Sequence, residues 1–122
     1  PFRGGGSCAF CGYHFTALDP HHCESKGIGG GKQLDVACNI VALCRACHST
    51  KADTREGKDR CIRIIAYREG VAPGDIRRVH SFLIGLDKHA SKEKIEEALM
   101  KLSGPAQRIA RRELLEAGVV DA

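Results

Sequence analysis

Two cysteine pairs of identical spacing, Cys8-Ala9-Phe10-Cys11 and Cys44-Arg45-Ala46-Cys47, constrain this chain more than any other feature. Each Cys-x-x-Cys turn sets two sulfurs on one side of a tight knuckle, and two knuckles together close a tetrahedral site for one structural zinc ion, Zn²⁺. Gly12 follows the first pair and lets that knuckle turn through positive φ. The surrounding sequence has little means of folding otherwise. Residues 4–6 are Gly-Gly-Gly and residues 27–31 are Gly-Ile-Gly-Gly-Gly, a density that forbids regular structure. Such a segment is held by metal rather than by apolar volume. Four buried structural thiols would not recur as matched pairs beside glycine, and a thioredoxin-like redox pair needs a strand-to-helix setting in a parallel sheet that neither motif has. His14 offers the one substitute ligand nearby.

An odd count of seven cysteines argues against a disulfide framework and for a reducing, cytoplasmic setting. Cys23, Cys38 and Cys61 lack a partner at ligand spacing and read as small buried hydrophobes. The 122 residues suffice for one domain, or a module with an appendage, and the chain opens on Pro1 as a truncated sequence would. No apolar run approaches the roughly 18 residues of a membrane span or resembles a signal peptide, so no membrane association is expected. The formal charge of +4 permits a polyanionic partner without demanding one.

From Lys58 onward the pattern is helical. Cys61, Ile62, Ile64, Ile65 and Ala66 predict a helix ending near Gly70; Ala72-Pro73-Gly74-Asp75 then starts a second, with Ile76, Val79, Phe82 and Leu83 on one face. Ser91 caps a third helix carrying Ile95, Leu99 and Leu102, and Ser103-Gly104-Pro105 opens a fourth that ends at Gly118. In the first half, residues 15–18 are expected to form a short strand, and residues 39–43 a strand or loop leading through Cys44 into a helix.

Between and beside the knuckles stand Asp19-Pro20-His21-His22, Asn39 and His48. With Leu43-Cys44-Arg45-Ala46-Cys47-His48 and the glycine-rich loop Ser25-Lys26-Gly27-Ile28-Gly29-Gly30-Gly31, these residues resemble the HNH endonucleases, in the zinc-stapled branch with two Cys-x-x-Cys pairs. The resemblance covers roughly residues 7–55. One departure is His21, where many relatives have Asp.

The resemblance implies an α+β chain, with a small ββα-metal module over residues 1–57 followed by an α-helical region, residues 58–122, that packs on it or forms a small bundle. It implies that His21 and His48 ligate a catalytic divalent ion, Mn²⁺ or Mg²⁺, that His22 is the general base, and that Asn39 hydrogen-bonds across the loop and holds His22. Imidazole ligands favour Mn²⁺ over Mg²⁺. Neighbouring strand residues point to opposite faces, so a bulge or turn at Pro20 is needed to aim both His21 and His22 at one site. The implied activity is hydrolysis of DNA phosphodiesters, one strand per site, so that double-strand cleavage needs a homodimer or two sequential cuts. Branched or single-stranded DNA and RNA stay open as substrates. Lys26 and Lys32 with the bare amides of the glycine loop suit phosphates, as a plain flexible connection also would. Arg45, Lys51 and Arg55, expected on the helix after the second knuckle, either contact phosphates or form a solvated face. The competing function is a non-catalytic zinc adaptor for nucleic acid or protein, which accounts for the four thiolates but not for His21, His22, Asn39 and His48 together.

Overall fold

The computed structural model describes residues 5–120; Pro1 and Gly4 lie outside them. The first knuckle is a miniature hairpin in which β1 (Gly6–Ser7) pairs antiparallel with β2 (His14–Phe15). Gly12 closes the turn at φ 78°, its N–H donating to the Cys8 carbonyl at 2.9 Å. β1 is only two residues long, so β2 cannot extend. The strand expected over residues 15–18 therefore shrinks to Phe15 and its predecessor, and residues 16–18 bend away to bury Leu18.

The second sheet pairs β3 (Asp19–His22) with β4 (Ile40–Leu43), antiparallel and in continuous register from Asp19 opposite Leu43 to His22 opposite Ile40. Asn39, expected in the strand, stands just before it in a 3₁₀ turn, Ala37–Asn39. α1 (Arg45–Thr50) follows directly, capped by the Cys44 sulfur, which accepts the Cys47 N–H at 3.4 Å. Residues 19–50 thus run strand, strand, helix. The glycine-rich loop holds a second 3₁₀ turn, Ile28–Gly30, pressed against the end of the third helix, where a Cβ on Gly29 would lie 2.9 Å from the Leu86 carbonyl oxygen.

Four helices make up the rest: α2 (Arg55–Glu69), α3 (Pro73–Ile84), α4 (Lys92–Met100) and α5 (Gly104–Glu116). α2 begins before Lys58 because Thr54 caps it, its hydroxyl accepting the Gly57 N–H at 2.9 Å. Only glycine fits at 57, since a Cβ there would lie 2.0 Å from the Lys51 carbonyl oxygen. Asp75 accepts the Ala72 N–H at 3.1 Å at the start of α3, and Ser91 accepts the Lys94 N–H at 3.3 Å at the start of α4. α4 stops at Met100, short of Leu102.

The helices pack on the sheet module. Cys61, Ile62, Ile65 and Ala66 of α2 share one core with Val41 and Leu43 of β4, with Ile76, Val79 and Leu83 of α3, and with Ile109, Ala110 and Leu114 of α5. Each large side chain buried there contributes about 1.5–3 kcal/mol. No helix among the described residues is long and apolar enough to cross a membrane.

Candidate functional site

The sulfurs of Cys8, Cys11, Cys44 and Cys47 all lie within 4.8 Å of one another, with Cys11 and Cys44 3.9 Å apart. A tetrahedron with zinc–sulfur bonds of about 2.3 Å spaces its sulfurs by roughly 3.8 Å. None of the cysteines forms a disulfide. The N–H groups of Phe10 and Cys11 donate to the Cys8 sulfur at 3.4 and 3.5 Å. Burial pushes the Cys8 thiol up, but these and other backbone N–H groups outweigh it and bring it down to about 6. Burial, with the thiols of Cys44, Cys8 and Cys11 alongside, pushes Cys47 up to about 12. Four adjoining sulfurs cannot all ionise without a cation among them, so the set fits one metal ion, and its geometry fits zinc. His14 stands apart, exposed on β2. Arg60 of α2 braces the first knuckle, its guanidinium 4.5 Å from the centre of the Phe10 ring.

The second knuckle aims His48. Its ring meets that of His21 edge to face, with centroids 5.2 Å apart and planes at 67°. His21 is buried and His48 half-buried. Asp19, two residues before His21 and so on the same strand face, receives the Nδ1–H of His48 at Oδ2, 3.1 Å away. The Arg45 guanidinium first, and then His48, hold the Asp19 carboxyl below the usual value. A carboxylate only accepts, so Nδ1 of His48 carries the proton and Nε2 keeps its lone pair for a ligand. Cys61 lies behind this pair; a hydrogen bond with Cys23 draws its thiol down to about 6 against burial, with His21 helping. A cleft of about 250 Å³ reaches His21 and Cys23, walled by Ala52, Asp53, Thr54, Arg55 and Lys58. Among the described residues, no group of three or more His, Cys, Asp or Glu besides the four cysteines converges to 4.8 Å. His21 and His48 are thus a pair of imidazoles in edge contact, His48 half-buried and His21 buried against Cys61.

The bulge expected at Pro20 is absent: the register runs unbroken through it. A two-stranded sheet leaves alternate N–H groups outside the ladder, and a proline fits there without distortion. Alternation then sends His21 and His22 to opposite faces. His22 meets the loop instead, with Nε2 3.2 Å from Asp35 Oδ1 and Nδ1 3.2 Å from the Gln33 side-chain amide. The carboxylate requires Nε2–H, which leaves the basic lone pair on Nδ1.

Asn39 is fully buried. Its Oδ1 accepts the Glu24 N–H at 2.8 Å, and its Nδ2 donates to the carbonyls of Glu24 at 3.0 Å and Leu34 at 2.8 Å. It thus ties together both ends of the loop between β3 and β4. Leu34 lies between the two residues that contact His22.

The basic residues divide. Arg45 starts α1 and is engaged by Asp19 through Nε at 2.8 Å. Lys51 follows α1 as its cap, and Arg55 is not on that helix but begins α2. Lys26, Lys32, Lys51 and Arg55 are exposed and carry no ion pair among the described residues. The amides of Gly27, Gly30 and Gly31 donate within their own loop, and the lysines on either side of it are exposed. Sequence reasoning missed Asp19, Gln33, Asp35 and Cys61 as neighbours of the histidines. Of these, Asp19 alone had a signal, its two-residue spacing from His21.

No family model, no curated protein and no solved structure matches this chain.

Proposed function

We propose that the chain is a metal-dependent endonuclease of the HNH kind that hydrolyses DNA phosphodiesters, nicking one strand per site. The observation that carries this reading is the meeting of His21 and His48 across a strand–strand–helix unit, with Asp19 fixing His48 so that Nε2 is free. A four-cysteine frame needs no further imidazoles to hold its metal, so the pair calls for a separate purpose. His21 and His48 would hold the Mn²⁺ or Mg²⁺ ion, which when bound would supply positive charge to the scissile phosphate and the leaving oxygen. His22 is the base that takes the proton of the attacking water; because it leaves β3 on the face away from His21, this role requires the end of the strand to turn its ring from Gln33 and Asp35 toward the metal when substrate binds. Asn39 keeps the loop that carries Gln33 and Asp35 in place. Arg55 and Lys58 line the cleft and bind the phosphate backbone, Lys58 once released from its ion pair with Glu24, and the exposed Lys26, Lys32 and Lys51 are further proposed contacts.

The second reading is a non-catalytic zinc adaptor, and it has one observation on its side: His22 leaves β3 on the face away from His21 and has both ring nitrogens engaged. Incubating zinc-loaded protein with supercoiled plasmid separates the two. The nuclease produces nicked circles with Mn²⁺ at least as well as with Mg²⁺ and stops when chelator removes the added ion. An inert protein, or one that cuts in excess chelator with its zinc retained, overturns the catalytic-metal reading.

A further inference from the structure

The helical region grips the candidate site at one short turn. The Cys38 N–H donates to Oε2 of Glu113 on α5 at 2.8 Å, and the Cys38 carbonyl accepts from Nε2 of His80 on α3, also at 2.8 Å. Arg68 of α2 donates to the carbonyls of Ala37 at 2.7 Å and Ile40 at 3.1 Å. Three helices therefore hold the backbone on both sides of Asn39. Glu113 is fully buried, and His80 nearly so at 3% exposure. A buried carboxylate is costly, and an apolar residue of similar volume often serves stability as well or better. Arg112, itself bound to Glu69, offsets part of that cost through Nε, 3.3 Å from Oε1 of Glu113. Packing alone does not call for a carboxylate here; an unpaired N–H at the head of the Asn39 turn does.

We propose that Glu113 is a positioning residue for the candidate site: it fixes the turn at Cys38 so that Asn39 ties Glu24 to Leu34 and thereby sets Gln33 and Asp35 against His22. The effect on cleavage rests on the nuclease reading, whereas the coupling of Glu113 to the loop does not. His80 and Arg68 act on the same turn from the other helices, which gives the region after residue 54 a task beyond covering the sheet.

The test uses the zinc-loaded full chain carrying Glu113→Leu, Glu113→Gln or Arg68→Met, the last removing an exposed side chain so that the fold survives even if Glu113→Leu does not. Amide NMR reads the Cys38 and Glu24 N–H groups and the Asn39 side-chain amide; plasmid nicking reads kcat and KM separately. In Glu113→Leu, or in Arg68→Met if the former does not fold, the Glu24 and Asn39 signals shift together with that of Cys38. The kcat falls about 10- to 100-fold at nearly constant KM and Mn²⁺ affinity, the usual range for an outer-shell partner. Glu113→Gln, which keeps an acceptor for Cys38, restores most of the loss, and adding Glu113→Leu to Asn39→Ala costs less than twofold more. Folded variants that leave the Glu24 and Asn39 signals unmoved overturn the proposal, as does a loss that multiplies fully with Asn39→Ala. If the parent protein does not nick, the nuclease reading fails, and the spectra alone decide the coupling.

Discussion

The two halves of the molecule are held by different physics. Residues 5–54 contain strands of two and four residues, short turns and a single helix of six. Such elements cannot stand alone. Their positions are set by four sulfurs and by side chains, chiefly Asn39, that reach across to backbone groups. Residues 55–120 instead form capped helices with apolar stripes, each with a recognisable start and stop. The stapled half carries the four-cysteine frame and the residues of the proposed site. The helical half carries the volume, and it returns Arg68, His80 and Glu113 to the one turn where the site is tied.

Removing the metal frame breaks the contrast most severely. Structural zinc sites in small modules supply about 10–16 kcal/mol, comparable to the roughly 5–15 kcal/mol by which a whole domain is stable. Cys47→Ser, or stripping with a strong chelator, is expected to abolish the zinc content and unfold residues 5–54 while much of the helical circular dichroism persists. A folded, zinc-free Cys47→Ser protein contradicts this account.

Asn39→Ala should come next. It leaves the part-buried N–H and carbonyl of Glu24 and the buried carbonyl of Leu34 without partners, at about 1–3 kcal/mol for each group left unsatisfied. Urea denaturation should show a loss of about 3 kcal/mol or more, with zinc retained. A change below about 1 kcal/mol would mean that the loop is tied elsewhere.

Asp19→Asn sharpens the comparison locally. It should weaken Mn²⁺ binding about tenfold, the scale of a lost carboxylate behind a ligating histidine, and barely move the melting temperature. The pH dependence has a definite sign. Arg45, and then His48, lower the folded pKa of Asp19 below its unfolded value of 3.8, so its contribution is complete above that value and is lost as pH falls through the folded pKa. The exposed Arg45 side chain keeps the effect small. Thermal melts from pH 7 to pH 2 should show Asp19→Asn converging on the parent protein at the acid end.

The smallest effect belongs to the helical surface. Arg111 and Glu96 form a two-pronged ion pair between α5 and α4, yet both are exposed, and solvent and salt screen such pairs until they add little. Arg111→Ala should barely move the urea midpoint; a clear loss would show that α4 depends on this contact.

What was legible in the sequence follows the same division. The four helices and the four-cysteine cluster were readable because periodicity, caps and the x-x spacing are local signals. The strand expected at residues 15–18 was misplaced because its extent is set by a partner, Gly6–Ser7, rather than by its own residues. The bulge at Pro20 was inferred from a need to converge two histidines, and the register shows that the strand simply lets them diverge. Gln33 and Asp35 reach His22 through the path of a loop, which no spacing rule describes. Glu113 reaches Cys38 across 75 positions, and on α5 it reads as one more surface acid.

The most direct test of the proposed function compares His21→Ala with His22→Ala in plasmid nicking as Mn²⁺ is raised. Both variants should keep zinc and fold. The account predicts that His22→Ala loses about two to four orders of magnitude at every Mn²⁺ concentration, as expected for a positioned base, whereas His21→Ala recovers part of its activity as the ion is increased. If His21→Ala is dead beyond rescue while His22→Ala nicks at the parent rate, the two roles are reversed; if neither substitution changes the rate, the chain is not a nuclease of this kind.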